Sequence, residues 1–101
     1  MAISDIQQKG SWYTIFDERG KKIKDVSANL GDLLGFSNSF FMLLHGSWYT
    51  TYDEYGNKIK DISVHTGELH SIAGDTFVLR HGSWLTTYRA DGKKVGDRPA
   101  R

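Results

Sequence analysis

Trp12, Trp48 and Trp84 stand 36 residues apart, and each closes the same tripeptide, Gly-Ser-Trp. The identities run on past it. Thr14, Thr50 and Thr86, Gly20, Gly56 and Gly92, Lys22, Lys58 and Lys94, and Asp25, Asp61 and Asp97 all keep the period, with Ile23, Ile59 and Val95 close to it. The chain is one unit written nearly three times. A period of this size marks a solenoid, a propeller or a pseudo-symmetric closed β fold, in which one repeat cannot bury its own apolar face and must stack on its neighbours.

The copy over residues 28–63 reads as four short strands separated by turn residues, with no helical period. Asp32 to Phe36 is a first, partly apolar strand, and Ser37-Asn38-Ser39 turns the chain. Phe40 to His45 (FFMLLH) is apolar at nearly every position, which predicts burial on both faces, because a strand with one wet face alternates. Trp48 to Asp53 (WYTTYD) has the aromatic and β-branched residues that suit a pleated surface. Lys58 to Ser63 (KIKDIS) alternates and carries the lysines that keep an outer edge from pairing with other chains. Repeats 28–63 and 64–99 are complete, whereas the partial repeat 1–27 lacks the innermost strand. The expectation is a single all-β domain over residues 1–101, with about eleven strands.

With 101 residues there is room for one small domain and not for two independent cores. Thirteen Lys and Arg against twelve Asp and Glu give a net charge of +1, which offers no field for steering onto nucleic acid or an anionic membrane. The absence of cysteine removes disulfides, thiolate catalysis and zinc-thiolate sites. Residues 1–9 lack a secretory h-region and no apolar run is long enough to span a bilayer, so a cytoplasmic protein is expected, with a secreted form whose signal is removed left open. No cofactor and no metal are expected.

The succession SIAGDTFVLRHGSWLTTYRADGKKV, from Ser71 to Val95, resembles the NHL-type blade of β-propellers: inner strand, hairpin, apolar strand, a third strand ending in an aromatic residue and an Asp-x-x-Gly turn, then an outer strand. Asp17-Glu18-Arg19-Gly20 and Asp53-Glu54-Tyr55-Gly56 keep that turn, and Arg89-Ala90-Asp91-Gly92 departs at its first position. Less is shared with the bacterial Trp-Gly repeats, whose order differs from Gly-Ser-Trp. The resemblance implies propeller blades, and since rings close with about four to eight of them, two chains would be needed, giving a homodimer with six blades. A β-prism or β-trefoil, closed within one chain by three-fold pseudo-symmetry, is the alternative. The prism of monocot mannose-binding lectins is one such fold, but their Gln-x-Asp-x-Asn-x-Val-x-Tyr signature is absent here.

Three sets of equivalent residues are candidate ligand sites. Trp12, Trp48 and Trp84 offer indole faces on which a sugar or a base stacks. The competing expectation, which is preferred, makes them buried packing residues between repeats, so that Trp48→Ala would cost on the order of 3–5 kcal/mol. Tyr13 and Tyr49, replaced by Leu85 in the last copy, point to the opposite face because side chains alternate. Asp25, Asp61 and Asp97 either line a ring mouth or pair with Lys22, Lys58 and Lys94, a pairing that contributes little when exposed. His45 and His81 are equivalent, with Lys9 in the first copy, and show no third metal ligand.

There is no Gly-x-Ser-x-Gly elbow, His-Glu-x-x-His or phosphate-cradling loop, and Ser11, Ser47 and Ser83 have no base common to every copy. The expected function is a non-enzymatic binding or assembly module built as an oligomeric propeller, with a protein or carbohydrate ligand. A small multivalent lectin is a second reading, and a hydrolase or lyase with its site at a chain–chain junction a third. A lectin requires aromatic plus carboxylate or amide groups at equivalent places between blades, whereas a scaffold requires one non-equivalent apolar patch.

Overall fold

The alternating and continuous apolar runs become eleven strands in the computed structural model, which describes residues 2–100. They are β1 (Ile3–Lys9), β2 (Trp12–Asp17), β3 (Lys22–Ser27), β4 (Asp32–Phe36), β5 (Phe40–His45), β6 (Trp48–Asp53), β7 (Lys58–Ser63), β8 (Glu68–Ala73), β9 (Thr76–His81), β10 (Trp84–Arg89) and β11 (Lys94–Pro99). Three antiparallel sheets result, β1-β2-β3, β4-β5-β6-β7 and β8-β9-β10-β11. The chain is all-β. Its helical content among the described residues is two 3-10 turns, Ala28–Leu30 and Val64–Thr66, each carrying the chain from the outer strand of one sheet to the inner strand of the next.

Local chemistry sets the hairpins. Gly46, first of the two residues between His45 and Trp48, has φ 60°, and its counterparts Gly10 and Gly82 have 59° and 61°. That is the left-handed requirement of a type II′ turn, whose twist matches the flanking strands. In the Asp-x-x-Gly turns, Asp53 Oδ1 accepts from the amides of Tyr55 and Asn57, both at 2.9 Å, and Asp17 Oδ1 does the same for Arg19 and Lys21. Arg89 has no carboxylate to offer, and there Asp91 Oδ1 accepts from Lys93 N at 3.0 Å.

Residues opposite one another in the ladders share a face. Phe41, Leu43 and Tyr52 therefore look one way from the second sheet, packing with Ile6, Tyr13, Ile15 and Val26 of the first, while Phe40, Met42, Tyr49 and Ile62 look the other way, towards Phe77 and Leu79 of the third. Phe40, Phe41, Met42 and Leu43 are all fully buried, as the unbroken apolar run of β5 predicts. Burial of such side chains contributes about 1.5–3 kcal/mol each. The arrangement is a row of stacked sheets with the middle one covered on both faces, not a closed barrel, and so neither the trefoil nor the three-sided prism. Cross-sheet hydrogen bonds fix the row: Tyr13 Oη to Gly31 O at 2.8 Å, Tyr49 Oη to Gly67 O at 2.9 Å and Thr51 Oγ1 to Ala90 O at 2.6 Å.

The three tryptophans are not the buried packing residues they are expected to be. Trp12, Trp48 and Trp84 are 52%, 49% and 53% exposed. Each begins its strand at the Gly-Ser turn, beyond the middle of the strand where the sheets meet. Other rings fill the interior: within their sheets Phe41 stacks on its cross-strand neighbour Tyr52 at 5.1 Å between centroids and Phe77 on Tyr88 at 5.5 Å, and between the second and third sheets Phe40 meets Phe77 at 6.3 Å.

Candidate functional site

The two-residue turn puts Trp48 opposite His45 on one side and Ser63 on the other, so all three share one face of the second sheet. Two residues further along β6, Thr50 lies between Leu43 and Asp61, and then Tyr52 between Phe41 and Lys58. The face runs from an exposed indole, through a hydroxyl and a carboxylate, down to the buried Phe41–Tyr52 stack. Asn29 and Leu30, from the 3-10 turn that leaves the first sheet, form the opposite wall. The groove between them encloses about 450 Å³ and is lined by Trp48, His45, Thr50, Asp61, Lys58 and Tyr52.

Its polar part is tightly organised. Thr50 Oγ1 donates to Asp61 Oδ1 at 2.7 Å, and Lys58 Nζ lies 2.6 Å from Asp61 Oδ2. The hydrogen bond from Lys58, followed by that from Thr50, holds the Asp61 carboxyl below its usual pKa, and the same bond raises Lys58. Burial raises the Tyr52 phenol. The other copies repeat the cluster. Thr14 and Lys22 reach Asp25 at 2.8 and 3.0 Å, and Thr86 and Lys94 reach Asp97 at 2.6 and 2.8 Å. Both carboxylates are likewise held low, with the lysine hydrogen bond the largest cause.

The sequence candidates thus divide. Trp and Asp come together on one face of each sheet, and in the second sheet they stand at the mouth and flank of the groove. Tyr13 and Tyr49 lie on the opposite, buried face, where their hydroxyls hold the next sheet, and Leu85 is buried in the corresponding place. His45, Thr50 and Lys58 belong to the site as well, and the ladder register implied by a two-residue turn is the signal that places His45 beside Trp48. Nothing in the sequence marks Asn29 or Leu30 as a wall.

The wall differs between copies. In the third sheet the residues equivalent to Asn29 and Leu30 are His65 and Thr66, and Trp84, Thr86, Tyr88, Lys94 and Asp97 repeat the rest. In the first sheet no sheet precedes Trp12 in the row, and Lys9 replaces the histidine, its ammonium 5.6 Å from the centre of the Phe16 ring. Among the described residues no three His, Asp or Glu side chains gather as a metal site, and every buried side-chain polar atom has a hydrogen-bond partner. No helix among them is long and apolar enough to cross a membrane.

No family model matches the chain, and no curated protein does. A solved structure described as "KlHsv2 with loop 6CD replaced by a Gly-Ser linker" matches with a TM-score of 0.61 at 16% identity, over 91% of this chain and 33% of the other. At that identity the likeness is one of fold. The chain spans about a third of that protein's length, so the stacked sheets there form part of a longer body.

Proposed function

We propose that the chain is a non-enzymatic, multivalent binding module, a row of propeller-like blades in which the tryptophan-lined groove is the repeated ligand place and a carbohydrate is the ligand. The observation that carries this reading is the half-exposed indole standing, in every copy, over the same Thr–Asp–Lys cluster.

A large aromatic left half in water at three equivalent places, when the interior is filled by other rings, is an unused apolar surface of defined shape. A pyranose presents an apolar C–H face that fits an indole and hydroxyls that donate and accept at its edge. The groove answers both, since the lysine ammonium retains N–H groups beyond the one given to the carboxylate, and Asn29 and His45 add a donor and an acceptor each. Each oxygen of Asp61 already holds one neighbour, so the carboxylate orients Thr50 and Lys58. A protein scaffold calls for one non-equivalent apolar patch, whereas the exposed tryptophans recur at equivalent places. Several shallow sites of modest affinity gain by avidity.

The test is a glycan array probed with the wild-type chain and with Trp48→Ala/Trp84→Ala. Retained sugars whose signal vanishes in the folded double variant support the reading, and a wild-type chain that retains no glycan contradicts it.

A further inference from the structure

The row has two outer faces on which no sheet of the described residues packs: the far side of the third sheet and the near side of the first. Both depart from the repeat where they face outwards. On the third sheet Thr76, Arg80 and Arg89 hold the places of Phe40, Leu44 and Asp53, around a floor of buried Val78 and Leu85. On the first sheet Asp5, Gln7 and Lys9 hold the places of Phe41, Leu43 and His45, as the pairings of Asp5 with Phe16 and Phe41 with Tyr52 show.

We propose that these two faces bind each other between two copies of the chain, the third sheet of one seated on the first sheet of the other, so that two copies close a ring of six sheets. Charge is the first argument. Moving the contact between the second and third sheets along by one repeat, Phe40 against Phe77 becomes the partner's Thr76 against Asp5. The Asp5 carboxylate then meets a face whose rim carries Arg80 and Arg89. Shape is the second. Asp5 is smaller than the phenylalanine it replaces, and a cavity of about 250 Å³ lies open beside Phe16, lined by Asp5, Gln7 and Asp17.

Leu85 supplies a third. Tyr13 and Tyr49 donate to Gly31 and Gly67, which lead into the inner strand of the following sheet. Among the described residues the first sheet has three strands and no counterpart of Gly31 or Gly67, so a tyrosine meeting them would find no such carbonyl. An end open to water would hydrate the hydroxyl without cost, whereas leucine suits a covered place without an acceptor.

The exits from the three sheets are also alike. Ala28, Val64 and Ala100 each donate their amide to the carbonyl of Ser11, Ser47 and Ser83, at 2.8, 2.9 and 2.9 Å, so the chain leaves all three sheets alike. Ala28 leads into the turn beside the Trp48 groove, and the same exit brings the partner's Ala100 towards the face that carries Trp12. The inference rests on strand register and outer-face residues and does not depend on the nature of the ligand.

Light scattering at micromolar concentration tests it, on the wild type and on the charge reversals Asp5→Arg, Arg80→Glu/Arg89→Glu, and all three combined. The expected masses are twice 11.4 kDa for the wild type, 11.4 kDa for either reversal alone, and twice that value again for the combination. Because the chain has no cysteine, Gln7→Cys/Arg80→Cys gives a second reading that leaves Asp5 and Arg89 in place, oxidation being expected to trap a covalent dimer. A wild-type monomer would mean that the polar outer faces are caps of the kind that keep open repeat stacks soluble, and would overturn the proposal. So would a dimer indifferent to the reversals, an assembly growing with concentration instead of closing, or a double-cysteine chain that yields no covalent dimer.

Discussion

The hydroxyl of Tyr49 donates to the carbonyl of Gly67 at 2.9 Å, joining the middle of one sheet to the entry of the next. The carbonyl is held there because Gly67 runs so close to β9 that a Cβ would lie 2.7 Å from Arg80 O. Tyr49 and Gly67 together thus tie the second sheet to the connection that enters the third.

Tyr49→Phe keeps the ring and removes the bond, leaving a buried carbonyl short of its partner. The expected cost is about 1–2 kcal/mol, read from the urea midpoint. Gly67→Ala is expected to cost more, since backbone and not a flexible side chain occupies the space.

Phe41 and Trp48 lie on the same face, and their environments are opposite. Phe41→Ala is expected to destabilise by about 3–5 kcal/mol, whereas Trp48→Ala, with half its surface already in water, should lose only about 1–2 kcal/mol. Thermal unfolding of the two variants side by side checks the difference.

Asp25, Asp61 and Asp97 titrate below 3.8 in the folded chain because lysine and threonine hydrogen-bond the ionised form. A depressed folded pKa stabilises above the unfolded value and loses that contribution as pH falls through the folded one. Stability is therefore expected to be level from neutrality to about pH 5 and to decline below about pH 4. Asp61→Asn should shallow the decline, a comparison made by denaturant unfolding across the acid range. Lys58 and Lys94, raised above 10.5, work in the other direction: their contribution is present below that value and is lost as pH rises through the folded one.

Gly46 holds φ 60° in the turn that presents Trp48. Gly46→Val forces a β-branched residue into the left-handed region, at an expected cost of about 1–2 kcal/mol. Circular dichroism during thermal unfolding measures it.

Much of the architecture was readable from the period. The run Phe40–Leu43 announces a strand covered on both faces, and the turns at Gly46 and Asp53 bound the strands where they are found. The tryptophans mislead because repetition alone does not distinguish a residue kept for packing from one kept for contact with solvent. The distinction depends on where the neighbouring sheet ends. Likewise, Asn29 and Leu30 become a wall only because a 3-10 turn brings them over from the preceding sheet, a tertiary relation that no local pattern carries. The Asp–Lys pairing, by contrast, is local: three residues apart on one outer strand, it recurs in all three copies.

The most direct test of the account is the proton–nitrogen spectrum of the three indole N–H groups, followed while an array-selected oligosaccharide is added to millimolar concentration. The account expects the Trp48 and Trp84 signals to move in a saturable way, while the amides of Phe41 and Leu43 stay fixed. Indole signals that remain in place while the sugar binds elsewhere would contradict it.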